Sequence, residues 1–238
     1  MNEKFEVAKS DLNAVNEIKD IWENPVVQFL LEHIPFLPSG SDSVIGREIE
    51  RRQKEKLGQV FEILLKDDAI TLDDVNDVDC IMEIAKTLDV VNRLIRNEKV
   101  KYLANLLKNS IKNKERDIDK FEEALSKFST LSLREIELLY LLYQAENQNM
   151  RNDGGTGQRV FNRNESWKMF REEAKSEYGL NDSEIISKML GIMRTGFCIC
   201  EWKANLSDAG MVVYTAPEYR KLLDNINFPD VKNDVSET

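Results

Sequence analysis

The sequence predicts a mainly α-helical chain in two parts. Residues 1–129 read as a helical bundle, and 130–228 as a winged-helix-like module with one small β-hairpin. A polar tail follows at 229–238 and is expected to be disordered. Three observations point to this fold class. Apolar residues recur at helical spacing through most of the chain. Only 10 Gly and 5 Pro punctuate 238 residues, mostly between periodic segments. From Ser132 to Ile226 the order is helix, loop, helix, helix, strand, turn, strand, helix, which is the order of a winged helix.

Taken in order, residues 3–23 predict a helix with Phe5, Leu12, Val15, Ile18 and Trp22 on its apolar face. Asn24-Pro25 is a break and restart, because Asn caps well and Pro suits the first helical position. Val26 to His33 forms a short apolar helix, and residues 35–41, with Pro35, Pro38 and Gly40, form a loop. Val44 to Lys66 is helical with a buried stripe at Leu57, Val60, Phe61 and Leu64, while the charged half from Arg47 to Lys56 projects into water. Thr71 to Asp74 is a capping-box start for a helix carrying Val75, Val78, Met82, Ala85 and Leu88. The run Val91, Leu94, Ile95, Tyr102, Leu103, Leu106 and Leu107 continues that helix or restarts near Asn97. A turn falls within Lys112–Lys120, and a short helix spans about Phe121 to Phe128.

The second part opens with another capping box, Ser132 to Glu135, and a helix to about Gln148 that buries Ile136, Leu139, Tyr140 and Tyr143. Residues 152–158, rich in Gly, form a flexible loop. A helix over about Glu165–Tyr178 carries Trp167, Phe170 and Ala174, and Gly179 suits its end. Asn181 to Glu184 starts a third helix with Ile185, Met189, Ile192 and Met193. Phe197–Lys203 and Met211–Thr215 are strands around a turn at 207–210, and Pro217 opens a last helix with Tyr219, Leu222, Leu223 and Ile226.

Charge is unevenly spread around a net of −10. Residues 67–91 hold eight Asp/Glu against one Lys, 92–120 hold nine Lys/Arg against four Asp/Glu, and 44–66 are net +2. Adjacent acidic and basic blocks suggest helices that pair, within one chain or between chains. Three Cys make no disulfide framework. Met1 to Lys4 opens into a polar helix without a signal-peptide pattern, and no apolar run approaches the roughly 20 residues of a membrane span. A cytoplasmic setting is expected.

No residue is assigned to catalysis, to a cofactor or to a metal. The sole His, His33, removes a Ser-His-Asp triad unless it serves itself, and no nucleophile motif accompanies it. Cys198 and Cys200 share one face of a strand, and with Cys80 and His33 they make a conceivable zinc set. Their Cys-x-Cys spacing suits buried core thiols better than a zinc knuckle. The acidic run Asp73–Asp79 fails the calcium-loop pattern, with Val where oxygen ligands are needed. It suits a helix N-terminus instead. The loop Gly154–Gly157 lacks the Gly-Lys-Ser/Thr ending of a phosphate-binding loop.

Winged helices commonly bind DNA through the third helix. Here that helix, Asn181–Arg194, holds Asp182, Glu184, Lys188 and Arg194 for a net of zero, and the wing turn holds Asp208. Residues 130–226 carry 12 Lys/Arg against 14 Asp/Glu, a poor source of phosphate neutralisation. The basic stretch Arg93–Lys120 lacks interleaved exposed aromatics. Nucleic acid is therefore a disfavoured partner.

Several segments carry a resemblance. These are Ile34–Gly40 followed by Glu48–Arg52, then Arg96–Leu107, then Leu131–Leu139. The close, Tyr214–Leu223, is similar to the strand-into-helix ending of winged helices, although Ala216 is inserted and the usual Gly is lacking. Together the chain resembles a broad group of bacterial helical proteins of prophage and phage-defence settings, including the abortive-infection alpha type. The resemblance implies a helical fold and a setting, and no catalytic signature. The expected function is a non-catalytic interaction protein binding protein partners or itself. The alternatives are a winged-helix DNA-binding regulator and a membrane-acting phage-defence effector in which Pro25–Leu37 inserts.

Overall fold

A computed structural model describes residues 20–34, 44–66, 69–113, 117–152, 159–203 and 210–225. The expected loop at 35–41, the glycines of the 154–157 loop, the wing turn at Asp208 and most of the 3–23 helix lie outside these residues. The described chain is mainly helical, with a two-stranded hairpin near the C-terminus. It forms two compact units, residues 1–126 and 127–238, and the division falls inside a helix.

In the first unit, α1 spans Pro25–His33, α2 Val44–Leu65, α3 Val78–Arg93 and α4 Val100–Lys112. The helix α5, Ile118–Thr130, begins there and ends in the second unit. Asn24 caps α1 by accepting from the Val26 N–H at 2.9 Å, with Pro25 at the first position. The α2 stripe Leu57, Val60, Phe61 and Leu64 is buried as its spacing predicts, and it packs against α3 and α4. Trp22 meets Phe61 edge-on at 5.9 Å between ring centres.

Two expectations in this unit are corrected. Lys56 does not project into water. It is buried and donates to the Leu94 carbonyl, and burial, with the charge of Arg52, lowers its pKa. The Thr71–Asp74 exchange forms, with the Thr71 N–H donating to Asp74 at 2.9 Å, but it opens only a one-turn helix, Asp74–Asn76. Asp77 is extended (φ −85°, ψ 118°) and caps α3 itself, accepting from the Asp79 N–H at 3.0 Å. The buried face of α3 is Cys80, Glu83, Ile84, Thr87, Leu88 and Val91. Val78 and Met82 are left outside, 68% and 41% exposed. Buried Glu83 is satisfied by α4, where Ser110 Oγ lies 2.9 Å from both carboxylate oxygens.

In the second unit, α6 spans Leu133–Gln148, α7 Arg163–Tyr178, α8 Asp182–Met193 and α9 Pro217–Asn225. Strands β3, Cys198–Lys203, and β4, Gly210–Thr215, form the hairpin. A second, smaller antiparallel pair was not expected: β1, Met150–Asn152, and β2, Arg159–Phe161, flank the Gly-rich loop. The two pairs are separate two-stranded sheets. Both capping boxes close. The Glu135 N–H donates to Ser132 Oγ (3.2 Å) and the Ser132 N–H to Glu135 (2.7 Å), and Asn181 and Glu184 exchange at 3.0 and 2.8 Å. Gly179 ends α7 at φ 63°, a conformation that costs glycine nothing. The core gathers Ile136, Leu139 and Leu142 of α6, Phe170 and Ala174 of α7, Ile185, Met189 and Ile192 of α8, and Val213 of β4. Phe128, Phe197 and Tyr219 meet in series, tilted at 4.9 Å and then edge-on at 4.5 Å between ring centres.

Candidate interaction surface

The most unusual chemistry in the second unit is a sealed carboxyl. Glu146 sits in the last turn of α6 with no exposed surface. It accepts from the Thr215 N–H at 2.6 Å and from Thr215 Oγ1, and Arg220 Nε of α9 lies 3.7 Å away. Arg220 donates to Asn147 at 2.8 Å and lies over Phe161 at 4.7 Å. Burial outweighs these donors and pushes the Glu146 carboxyl up to about 7. Such a value suits acid–base chemistry. Glu146, however, has no solvent-facing surface, and its near partners are Thr215 and Arg220. The arrangement fastens β4 and α9 to α6.

A second cluster lies on the hairpin. Arg163 at the start of α7 pairs with Glu201 of β3 and covers the Tyr214 ring at 4.0 Å. The Tyr214 hydroxyl donates to Glu201 at 3.0 Å. Both hairpin thiols are held in the neutral form. Burial and the nearby Glu146 raise the Cys198 pKa, and burial and Glu201 raise that of Cys200. Neither has the lowered pKa of a nucleophilic cysteine.

The same pattern of engaged cations runs through the unit. Arg171 and Lys175 both hold Asp182, at 2.9 and 2.8 Å, and with Lys175 first they keep its carboxyl below the ordinary range. Arg134 pairs with Glu137 at 3.1 Å and covers the Tyr178 ring at 4.0 Å. Arg194 donates to the Thr130 carbonyl at 3.3 Å and lies 3.9 Å from Glu135. The exposed positions of α8 are Ser183, Glu184, Ser187 and Leu190, with Arg194 exposed just past its end. Apolar groups meanwhile face outward: Trp202 is 77% exposed, Leu190 49% and Ile199 37%.

The remaining residues of interest fall apart as sites. His33 is an exposed helix-end residue, stacked on Phe29 at 4.1 Å and donating to its carbonyl at 2.8 Å. Cys80 is buried in α3. Among the described residues, no three His, Cys, Asp or Glu side chains group as metal ligands. Asp73–Asp79 is spent on the two helix starts described above. In the basic block, Arg93 pairs with Asp89 on its own helix, and Lys99 and Lys108 are buried. Lys86 of the acidic block pairs with Glu122 of α5, which lies outside both charge blocks.

Sequence reasoning missed both Glu146, which sits in a polar Glu-Asn-Gln helix end, and the exposure of Trp202, which sits in an ordinary strand pattern. The only signal for Glu146 was its place one turn after a buried Leu142.

No protein-family model, no curated protein and no solved structure matches this chain. Among the described residues no helix is long and apolar enough to cross a membrane.

Proposed function

We propose that this chain is a non-catalytic interaction protein, binding protein partners or a second copy of itself. The observation that carries this reading is the division of labour on the second unit's surface. Arg134, Arg163, Arg171, Arg194 and Arg220 are engaged by carboxylates, carbonyls, an amide and rings, while Trp202, Leu190 and Ile199 stand in water. Tryptophan is among the usual anchors of protein interfaces. The phage-encounter or stress setting rests on the family resemblance alone.

The DNA-binding alternative has one observation in its favour, the winged-helix-like order of three helices and a hairpin. Within α8 only Lys188 is cationic, and Arg194 at its end is engaged by the Thr130 carbonyl, which is little charge for that role. The membrane-acting alternative has less support, since Val26, Val27, Leu30 and Ile34 are already buried within the first unit. Their insertion into lipid would require that core to open.

Affinity capture with the full chain, followed by titration with the purified partner, tests the reading. The expected result is a saturable, stoichiometric protein complex. A chain that stays monomeric at every concentration and captures nothing above background contradicts it.

A further inference from the structure

Helix α3 carries two apolar stripes. One is buried, at Cys80, Ile84, Leu88 and Val91. The other lies opposite, where Val78, Met82 and Ala85 recur at i, i+4 and i+7. Ala85 is half-buried, but Val78 and Met82 face water, and Leu72 in the turn ahead of the helix is exposed as well. The segment around them carries one sign of charge. From Ala69 to Met82 there are four aspartates, Asp73, Asp74, Asp77 and Asp79, and no lysine or arginine. Asp73 and Asp79 are exposed, and among the described residues neither is paired with a cation.

The charges of α2 are arranged differently. There Arg51 pairs with Glu48 and Glu55, Arg52 with Glu48, and Lys54 with Glu50, so opposite signs cancel along the helix. The cations that follow the aspartates on α3 are committed too, Lys86 to Glu122 and Arg93 to Asp89. An apolar stripe framed by exposed carboxylates selects its occupant by sign. Phosphate backbones and anionic lipid are repelled. A second copy laid on the same face would set carboxylates against carboxylates, in a chain of net charge −10.

We infer that the outward stripe of α3 docks a basic amphipathic helix of a partner protein. Apolar side chains of that helix pack on Val78, Met82 and Ala85, whose spacing is the one that helix-on-helix packing uses. Its lysines or arginines face Asp73 and Asp79. Met82 suits such a contact, because its unbranched side chain adapts to what packs on it. The inference rests on the reading of the chain as an interaction protein and adds the chemistry of a partner. It uses a surface of the first unit alone.

Fluorescence anisotropy with the full chain tests this. The probe is a labelled peptide of about 18 residues, long enough to hold a helix, with leucines on one face and lysines on the other. The expected result is saturable binding in the micromolar range. A peptide of the same composition with its leucines dispersed should bind far more weakly. Val78→Ser combined with Met82→Ser should weaken binding by at least about tenfold, since two apolar anchors are lost. Asp73→Asn combined with Asp79→Asn should weaken it by about threefold at about 50 mM salt, the scale of exposed ion pairs. Asp77 is kept because it caps α3. All four substituted side chains are exposed, and circular dichroism checks that the variants stay folded. No binding to the wild type overturns the inference. So does binding that is equal for both peptides or unchanged in both double variants, which reports only attraction to the net charge. A dimer of the wild type in sedimentation velocity that is lost in the Val78→Ser, Met82→Ser variant assigns the face to a second copy and overturns the basic occupant. The broader interaction reading stands or falls separately, on partner capture with the full chain.

Discussion

Replacing Glu146 with Gln should remove a pH dependence from the stability of the second unit. The folded carboxyl titrates at about 7 against an ordinary 4.5. Between these values the folded state holds a proton that the unfolded chain has lost. Stability therefore falls as pH rises from about 4.5 to about 7 and is flat above, where both states are ionised. The loss amounts to roughly 3 kcal/mol, from the size of the shift at about 1.4 kcal/mol per pH unit. Gln keeps an acceptor for the Thr215 N–H and carries no charge to bury. Denaturant titrations at pH 5 and pH 8 should show the variant gaining on the wild type by that order at the higher pH. Glu146→Ala should instead destabilise at both, since it leaves the Thr215 donors unpaired, at about 1–3 kcal/mol for such a group. A stability difference between wild type and Glu146→Gln that does not change with pH would contradict the buried ionisation.

Phe170→Ala should be the most damaging single truncation in the second unit. Phe170 is fully buried and stacks on Trp167 at 5.2 Å, in a helix that packs against both α6 and β4. Removing a buried phenylalanine costs about 3–5 kcal/mol in lost transfer energy and cavity formation. That is a large share of a domain stability of about 5–15 kcal/mol. Leu190→Ala on the neighbouring α8 should cost no more than about 0.5 kcal/mol, because Leu190 already faces water. Urea unfolding of both variants checks the contrast. Equal losses at the two positions would mean that Leu190 is covered in solution.

What the sequence made legible was mostly local. Asn24, Ser132 and Asn181 announce helix starts because their side chains bond to backbone groups two or three residues away. Gly179 announces an end because α7 closes in a left-handed conformation. The α2 stripe was legible because all four of its positions are apolar. The α3 face was not, because two of its buried positions are Glu83 and Thr87. Glu83 finds Ser110 at a separation of 27 residues, and Thr87 bonds within its own helix to the Glu83 carbonyl. Thr71 and Asp74 gave a true local signal for the wrong helix, since Asp77 supplies a second start. The β1–β2 pair escaped notice because three-residue strands carry no readable alternation. The candidate surface was legible only in its charge. The neutrality of the segment Asn181–Arg194 follows from composition, whereas the commitment of Arg163, Arg171 and Arg220 to carboxylates and rings requires the folded chain.

The central claim is that the second unit serves protein contact and not nucleic acid. Fluorescence anisotropy of a labelled mixed-sequence DNA duplex, titrated with the full chain at about 50 mM salt, tests it most directly, because phosphate-driven binding is strongest there. The result expected is no saturable rise in anisotropy. Saturable binding that weakens steeply as salt is raised would contradict the claim.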